Sequence, residues 1–182
     1  NICDIVVSTS ALEHDMDVTP LGYAKGVIPD MDQSEFKADE NLIKLAKDSA
    51  EEAGLDVVFM KALPTDKTVL STVFQRMADG NLADLILTTG GTGFAQRDKT
   101  PEATIAVCDR MANGIADAIR QYSLSITGRA MLSRAVSGIR KKTLIVNLPG
   151  SPKIIKECLE YVLPEIVYAT ETAVGEHDDV EE

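Results

Sequence analysis

The chain is 182 residues long, 45% apolar and 26% charged, a balance expected of one soluble domain able to bury about 70% of its unfolded surface without disulfide staples. Its net charge of −11 argues against nucleic acid as a partner, because such binding rests on phosphate neutralisation, yet leaves room for a small phosphorylated ligand held by local donors. No run reaches the roughly 18 apolar residues of a membrane span and no signal-peptide pattern is seen at the start, so no membrane partner and a cytoplasmic location are expected.

Ile2–Ser8, apolar and β-branched, reads as a first buried strand. Thr9–Gln33, with Pro20, Gly22, Gly26 and Pro29, reads as a long loop. Phe36–Ala53 carries apolar residues at helical spacing and stops at Gly54. Leu55–Leu63 follows as a strand, and Thr65 is placed to cap a helix over Asp66–Asp79 that ends at Gly80. Leu82–Thr88 is a strand feeding Thr89-Gly90-Gly91-Thr92-Gly93. Thr100 then caps a helix with Pro101 at its first position and Ala103–Met111 as its apolar face.

Asn113–Ile126 reads as a further helix. Met131–Arg140 and Thr143–Asn147 are strand-like runs joined by Lys141-Lys142, which predicts a hairpin at one sheet edge. After Leu148-Pro-Gly-Ser-Pro152, Lys153–Thr172 forms the last helix, with a bend expected at Pro164. The acidic tail 176–182 is expected to be disordered, leaving 1–175 as a single domain. Strands alternating with helices imply an α/β fold: three α/β/α layers around a mostly parallel sheet with an antiparallel edge hairpin. Ligands in such folds bind beyond the carboxyl ends of the strands.

Two loops should lie at that edge. Gly90–Gly93 offers consecutive backbone N–H groups with no Cβ in the way, and glycine permits the positive φ that makes them converge on an anion. The helix beginning at Thr100 adds a positive dipole end. The spacing fits neither GxxxxGK[ST] nor GxGxxG, and a tight turn that merely needs glycine is an equal reading of the loop alone. Asp98, after Arg97, can coordinate a Mg²⁺ that bridges phosphate oxygens, or pair with Arg97, or cap the helix. Asp66 has either a chemical role or a favourable place in a helix first turn. Asn147 can read a heterocycle edge, Ser151 can cap a helix and Lys153 can meet a phosphate, although Pro149-Gly150 also suits a plain strand-to-helix turn. Cys3, Cys108 and Cys158 are expected as reduced buried thiols, and two distant histidines make a zinc site improbable.

Together the blocks Thr88-Thr-Gly-Gly-Thr-Gly-Phe-x-x-Arg-Asp-x-Thr-Pro-Glu-Ala-Thr104, Met131-Leu-Ser-Arg-x-x-x-Gly-Ile-Arg140 and Thr143-Leu-Ile-Val-Asn-Leu-Pro-Gly-Ser-Pro152 resemble the molybdopterin-binding family of adenylyltransferases and gephyrin G domains. The resemblance implies a homotrimer that transfers AMP from ATP to molybdopterin with Mg²⁺, releasing pyrophosphate. It also points to a molybdenum-insertion partner protein. It implies that Asp98 and Asp66 are the catalytic, metal-side acids. Thr89, Gly90, Gly91, Thr92, Gly93, Thr100, Pro101, Glu102, Ser133, Asn147, Pro149, Gly150, Ser151 and Lys153 would hold substrate. After the first strand the family carries Ser-Asp and then Asp-x-Ser-Gly-Pro. Here Val7-Ser-Thr-Ser-Ala11 lacks the first Asp and Asp32-Gln-Ser-Glu35 keeps only Asp-x-Ser. That segment lies on the nucleotide side, so a non-catalytic molybdopterin-binding, carrier or scaffold trimer stands as the second reading.

Overall fold

The computed structural model describes residues 4–8, 47–52 and 54–175, so the readings of 9–33, 36–46 and the 176–182 tail lie outside the described residues. The strands are β1 (Asp4–Ser8), β2 (Asp56–Met60), β3 (Leu85–Thr89), β4 (Arg110–Met111), β5 (Ser137–Arg140) and β6 (Thr143–Leu148). The helices are α1 (Lys67–Asp79), α2 (Thr100–Val107), α3 (Asn113–Ile126) and α4 (Pro152–Val174), with a 3₁₀ turn at Gly128–Leu132 and a further helical segment at 47–52. One six-stranded sheet runs β2-β1-β3-β6-β5-β4. Its first four strands are parallel, and β5 and β4 are antiparallel to their neighbours.

The two-residue side-chain period of a strand explains the layers. On β3 and β6, Leu85, Leu87, Leu144, Val146 and Leu148 pack with Ile119 of α3 and Ile155, Leu159 and Ile166 of α4. The alternate positions, Ile86 and Ile145, pack on the other side with Leu70 and Phe74 of α1 and Ala103 and Val107 of α2. Ala50 joins the α3/α4 cluster, which puts the 47–52 segment on that face. Every residue of β3 and β6 is buried, as expected of central strands covered on both faces.

Several boundaries differ from the sequence reading. The cap of α1 is Asp66, whose Oδ1 accepts from Thr68 N and Val69 N at 2.8 and 2.9 Å; its charged carboxylate, one residue later in the chain, takes the role expected of Thr65. Helix α2 stops at Val107, and Arg110–Met111 becomes the edge strand, so the β5–β6 hairpin lies one strand inside the edge. Residues 131–136 are not strand. Thr127 Oγ1 accepts from Arg129 N and starts the 3₁₀ turn, and the carbonyls of Ser133 and Ala135 are taken by Arg120 instead of a ladder. Helix α4 continues through the exposed Pro164 to Gly175, which ends it at φ 94°. Cys3 lies outside the described residues; Cys108 and Cys158 are free thiols, of which only Cys158 is buried as expected and Cys108 is half-buried. Burial pushes both up, Cys108 to about 11, with Asp109 adding to the rise there, so both stay protonated at neutral pH.

A convergent pocket at the carboxyl edge of β3 and β6

β1 lies at the centre of the parallel region, with β2 on one side and β3 on the other, so chain connections diverge at the β1/β3 boundary. In open α/β sheets ligands bind beyond the carboxyl edge, and the pocket of this chain lies there between β3 and β6, one strand from that divergence. β3 pairs with β6 in register, Thr89 opposite Leu148, and this brings the Gly90–Gly93 and Pro149–Ser151 loops side by side. Gly90 and Gly91 take φ of 84° and 65°, a left-handed path open to glycine. A Cβ on Gly91 would collide with Thr100 Oγ1 and lie 2.8 Å from Thr65 Cγ2; one on Gly150 would touch Gly90 Cα at 3.4 Å. The close approach of the loop to Thr65 and Thr100 therefore requires glycine at 91, whereas a Cβ at 150 would make only ordinary contact.

A pocket of about 330 Å³ opens there, within the small-ligand range. Gly90–Gly93 and Asp98 form one wall and Pro149, Gly150, Ser151 and Ile154 another. The third comes from α3 and the turn after it, including Arg120, Thr127, Arg129, Leu132 and Ser133. One acidic side chain and two guanidinium groups line it, so cationic donors reach the pocket wall in a chain of net charge −11. Ser151 stands at the N-cap of α4, but its hydroxyl makes no capping bond. The first turn of the 23-residue α4 thus meets the pocket at Ser151 and Ile154, and among the described residues no side chain caps its amide end.

The structure separates the expected site residues into two groups. Gly90, Gly91, Thr92, Gly93, Asp98, Ser133, Pro149, Gly150 and Ser151 line the pocket. Thr89 and Thr100 are buried braces: Thr89 Oγ1 donates to Pro149 O at 3.0 Å, and Thr100 Oγ1 to Gly90 O at 3.1 Å. Thr100 is the first residue of α2 rather than its side-chain cap, with Lys99 at the N-cap and Pro101 buried in the first turn. Asn147 is fully buried, and its amide is spent inside the protein: Nδ2 donates to Thr88 and Thr104 hydroxyls at 2.9 and 3.0 Å, and Oδ1 accepts from Val136 N. It is a strut joining β6, β3, α2 and the segment before β5, with no amide edge left for a heterocycle. Asp66 is absent from the pocket wall and caps α1, although its neighbour Thr65 abuts Gly91 on the same rim. The side chain of Lys153 lies outside the description.

The sequence reading missed the arginines. Arg134 N donates to Thr92 O at 2.9 Å, Nε to Gly93 O at 2.7 Å and Nη2 to Asp98 O at 2.6 Å, while Nη1 pairs with Glu102. Burial is the largest single influence on Glu102 and works against its charge, but the Arg134 bond, a backbone bond and the Arg134 and Lys99 charges together hold that carboxyl below its usual range. Asp98 Oδ2 accepts from Ala95 N at 3.1 Å, and a Cβ on Gly93 would fall 2.8 Å from that oxygen. Arg120 is fixed by the carbonyls of Ser133 and Ala135 and by Asp117. Arg134 stood in a quoted block, yet four-way bonding across segments leaves no periodic trace in a sequence.

Residues 5–168 match the model of a family described as a probable molybdopterin binding domain. Over 124 residues the chain is 43% identical to a molybdopterin adenylyltransferase of Helicobacter pylori, covering 68% of this chain and 70% of that protein. Identity to a molybdopterin adenylyltransferase of Escherichia coli is 47% over 102 residues, which is 56% of this chain and 52% of that one. The crystal structure of the molybdopterin biosynthesis enzyme MoaB from Thermus thermophilus aligns with a TM-score of 0.75 at 33% identity, covering 96% of this chain and 98% of that one.

Proposed function

Because the chain belongs to the family of probable molybdopterin binding domains, we propose that its pocket holds molybdopterin by the terminal phosphate and that the protein transfers AMP to that phosphate from ATP. The observation that carries the reading is the meeting of two glycine-bearing strand-end loops, the N-terminus of α4, the Asp98 carboxylate and the Arg120 and Arg129 side chains at one pocket. Such a site fits a phosphate monoester, because backbone donors and guanidinium groups answer charge without requiring a heterocycle-specific contact.

In the reaction a phosphate oxygen of molybdopterin attacks the α-phosphorus of ATP. The bond from that phosphorus to the α–β bridging oxygen breaks, and pyrophosphate leaves with the electron pair. The nucleophile is already an anion at neutral pH, since a phosphate monoester loses its second proton near about 6, so no histidine or cysteine base is needed. The residues bring two anions together and hold them in line, which is where phosphoryl-transfer catalysis arises. Gly90–Gly93 amides would take the phosphate oxygens, with Arg120 and Arg129 offsetting charge.

Mg²⁺ fits the residues as a substrate-borne ion. Among the described residues no group of three or more His, Cys, Asp or Glu could hold a metal alone, and Mg²⁺ is commonly held by one or two carboxylates plus substrate phosphates and water. Asp98 is the carboxylate on the pocket wall, and Asp66, beside Thr65 on the same rim, is the second candidate. The ion would draw charge from the α-phosphoryl oxygens. Incubation with metal-free molybdopterin and MgATP tests the reading: adenylated molybdopterin and pyrophosphate are expected, and tight pterin binding without product would leave the carrier role.

The assembly we propose is a homotrimer in the cytoplasm that hands its product to a molybdenum-insertion protein. Leu124 of α3, Met131 of the 3₁₀ turn and Tyr161 of α4 are exposed and would supply apolar contacts for assembly. No helix among the described residues is long and apolar enough to cross a membrane.

A further inference from the structure

We infer that Arg134 is a positioning residue that sets the Asp98 carboxylate by clamping the main chain of the loop carrying it. The inference rests on the adenylyl-transfer reading for its effect on turnover, and on geometry alone for its effect on the loop. The guanidinium spans the loop from end to end: Nε donates to the Gly93 carbonyl and Nη2 to the Asp98 carbonyl. The Arg134 amide donates to Thr92 O, one residue before the span. Between those anchors only two bonds shape the loop internally, Asp98 N to Ala95 O at 2.9 Å and Ala95 N to Asp98 Oδ2 at 3.1 Å.

The second of these bonds uses the very carboxylate that faces the pocket, so any shift of the Asp98 main chain moves that group. Phe94, Ala95, Gln96 and Arg97 are exposed, so among the described residues the hydrogen bonds of Arg134 are the ties that join this stretch to the segment before β5. Glu102 fixes the far side of the guanidinium to the first turn of α2, and its Oε2 is buried with no hydrogen-bond partner among the described residues. The fork is thereby aimed by a helix and not by a flexible arm. Arginine suits the place because its three nitrogens reach three separated acceptors, two carbonyls and a carboxylate, whereas the three donors of lysine sit on one nitrogen and cannot span them.

Arg134→Lys keeps the charge beside Glu102 but loses the fork. Its kcat for adenylated molybdopterin should fall roughly 10²-fold, the effect of about 1 Å misplacement in a reacting array. KM for molybdopterin should stay within about threefold, because the glycine loop and α4 still bind it. Hydrogen exchange at the Ala95 and Asp98 amides should speed at least about tenfold with global melting little changed, as local opening without global unfolding gives. Arg134→Ala should recover turnover when methylguanidinium is added. Wild-type kcat in the lysine variant, unchanged exchange at those amides, or loss expressed only in KM or melting each overturns the clamp. If the wild-type protein makes no product, the adenylyl-transfer reading fails. Exchange at Ala95 and Asp98 then decides the clamp by itself: faster in the variant supports it, equal overturns it.

Discussion

Asp98 differs from the other acidic groups in being both on the pocket wall and fixed by its own loop, through Ala95 N–H. Asparagine is nearly the same size and can still accept that bond. Asp98→Asn should therefore lower turnover by at least about 10²-fold, the scale of removing one electrostatic group from a site. Its melting temperature should stay within about 3 °C, or under about 1 kcal/mol at this chain length. Retained turnover would remove Asp98 from the chemistry. The residue types at the site were legible in the sequence because glycine and aspartate after a strand carry local meaning. The burial of Asn147 was not, since an amide that can read a ligand can equally serve as an internal strut, and only its partners decide.

Asp66 shows how an element can absorb a residue with two readings. As the cap of α1 it holds two first-turn amides, so Asp66→Ala should cost about 1 kcal/mol in chemical denaturation, whereas Asp66→Asn, an equally good cap, should cost little. We expect turnover to fall at least about tenfold in the asparagine variant, a barrier change near 1.4 kcal/mol; full activity there would assign Asp66 to capping alone. The opposite edge of the sheet is a stability device. Arg140 Nε and Nη2 grip both oxygens of Asp79 at the end of α1, at 3.1 and 2.7 Å, and Lys141 Nζ adds a contact at 2.9 Å. The Arg140 bond, and then the Lys141 bond, hold the Asp79 carboxyl down at about 2. A depressed folded-state pKa stabilises above the ordinary value of 3.8, and that stability is lost as pH falls through about 2. Melting of the wild type should thus decline more steeply than that of Asp79→Asn between pH 5 and pH 2; parallel curves would contradict it.

At the scale of the whole molecule, alternation and periodicity gave the layers, the parallel core and the carboxyl-edge placement of both loops. They failed where contacts between distant segments override local pattern: 131–136 lost its strand to Arg120, and Arg110–Met111 gained one by pairing with β5. The proposed trimer should sediment as about three chains at micromolar concentration, and a monomer there would refute it. A global charge of −11 coexists with a pocket lined by two arginines and one aspartate, so ligand choice follows the local field. The most direct test is product analysis after incubating the full chain with metal-free molybdopterin and MgATP. Adenylated molybdopterin and pyrophosphate in equal amounts are predicted; bound molybdopterin with neither product would contradict adenylyl transfer.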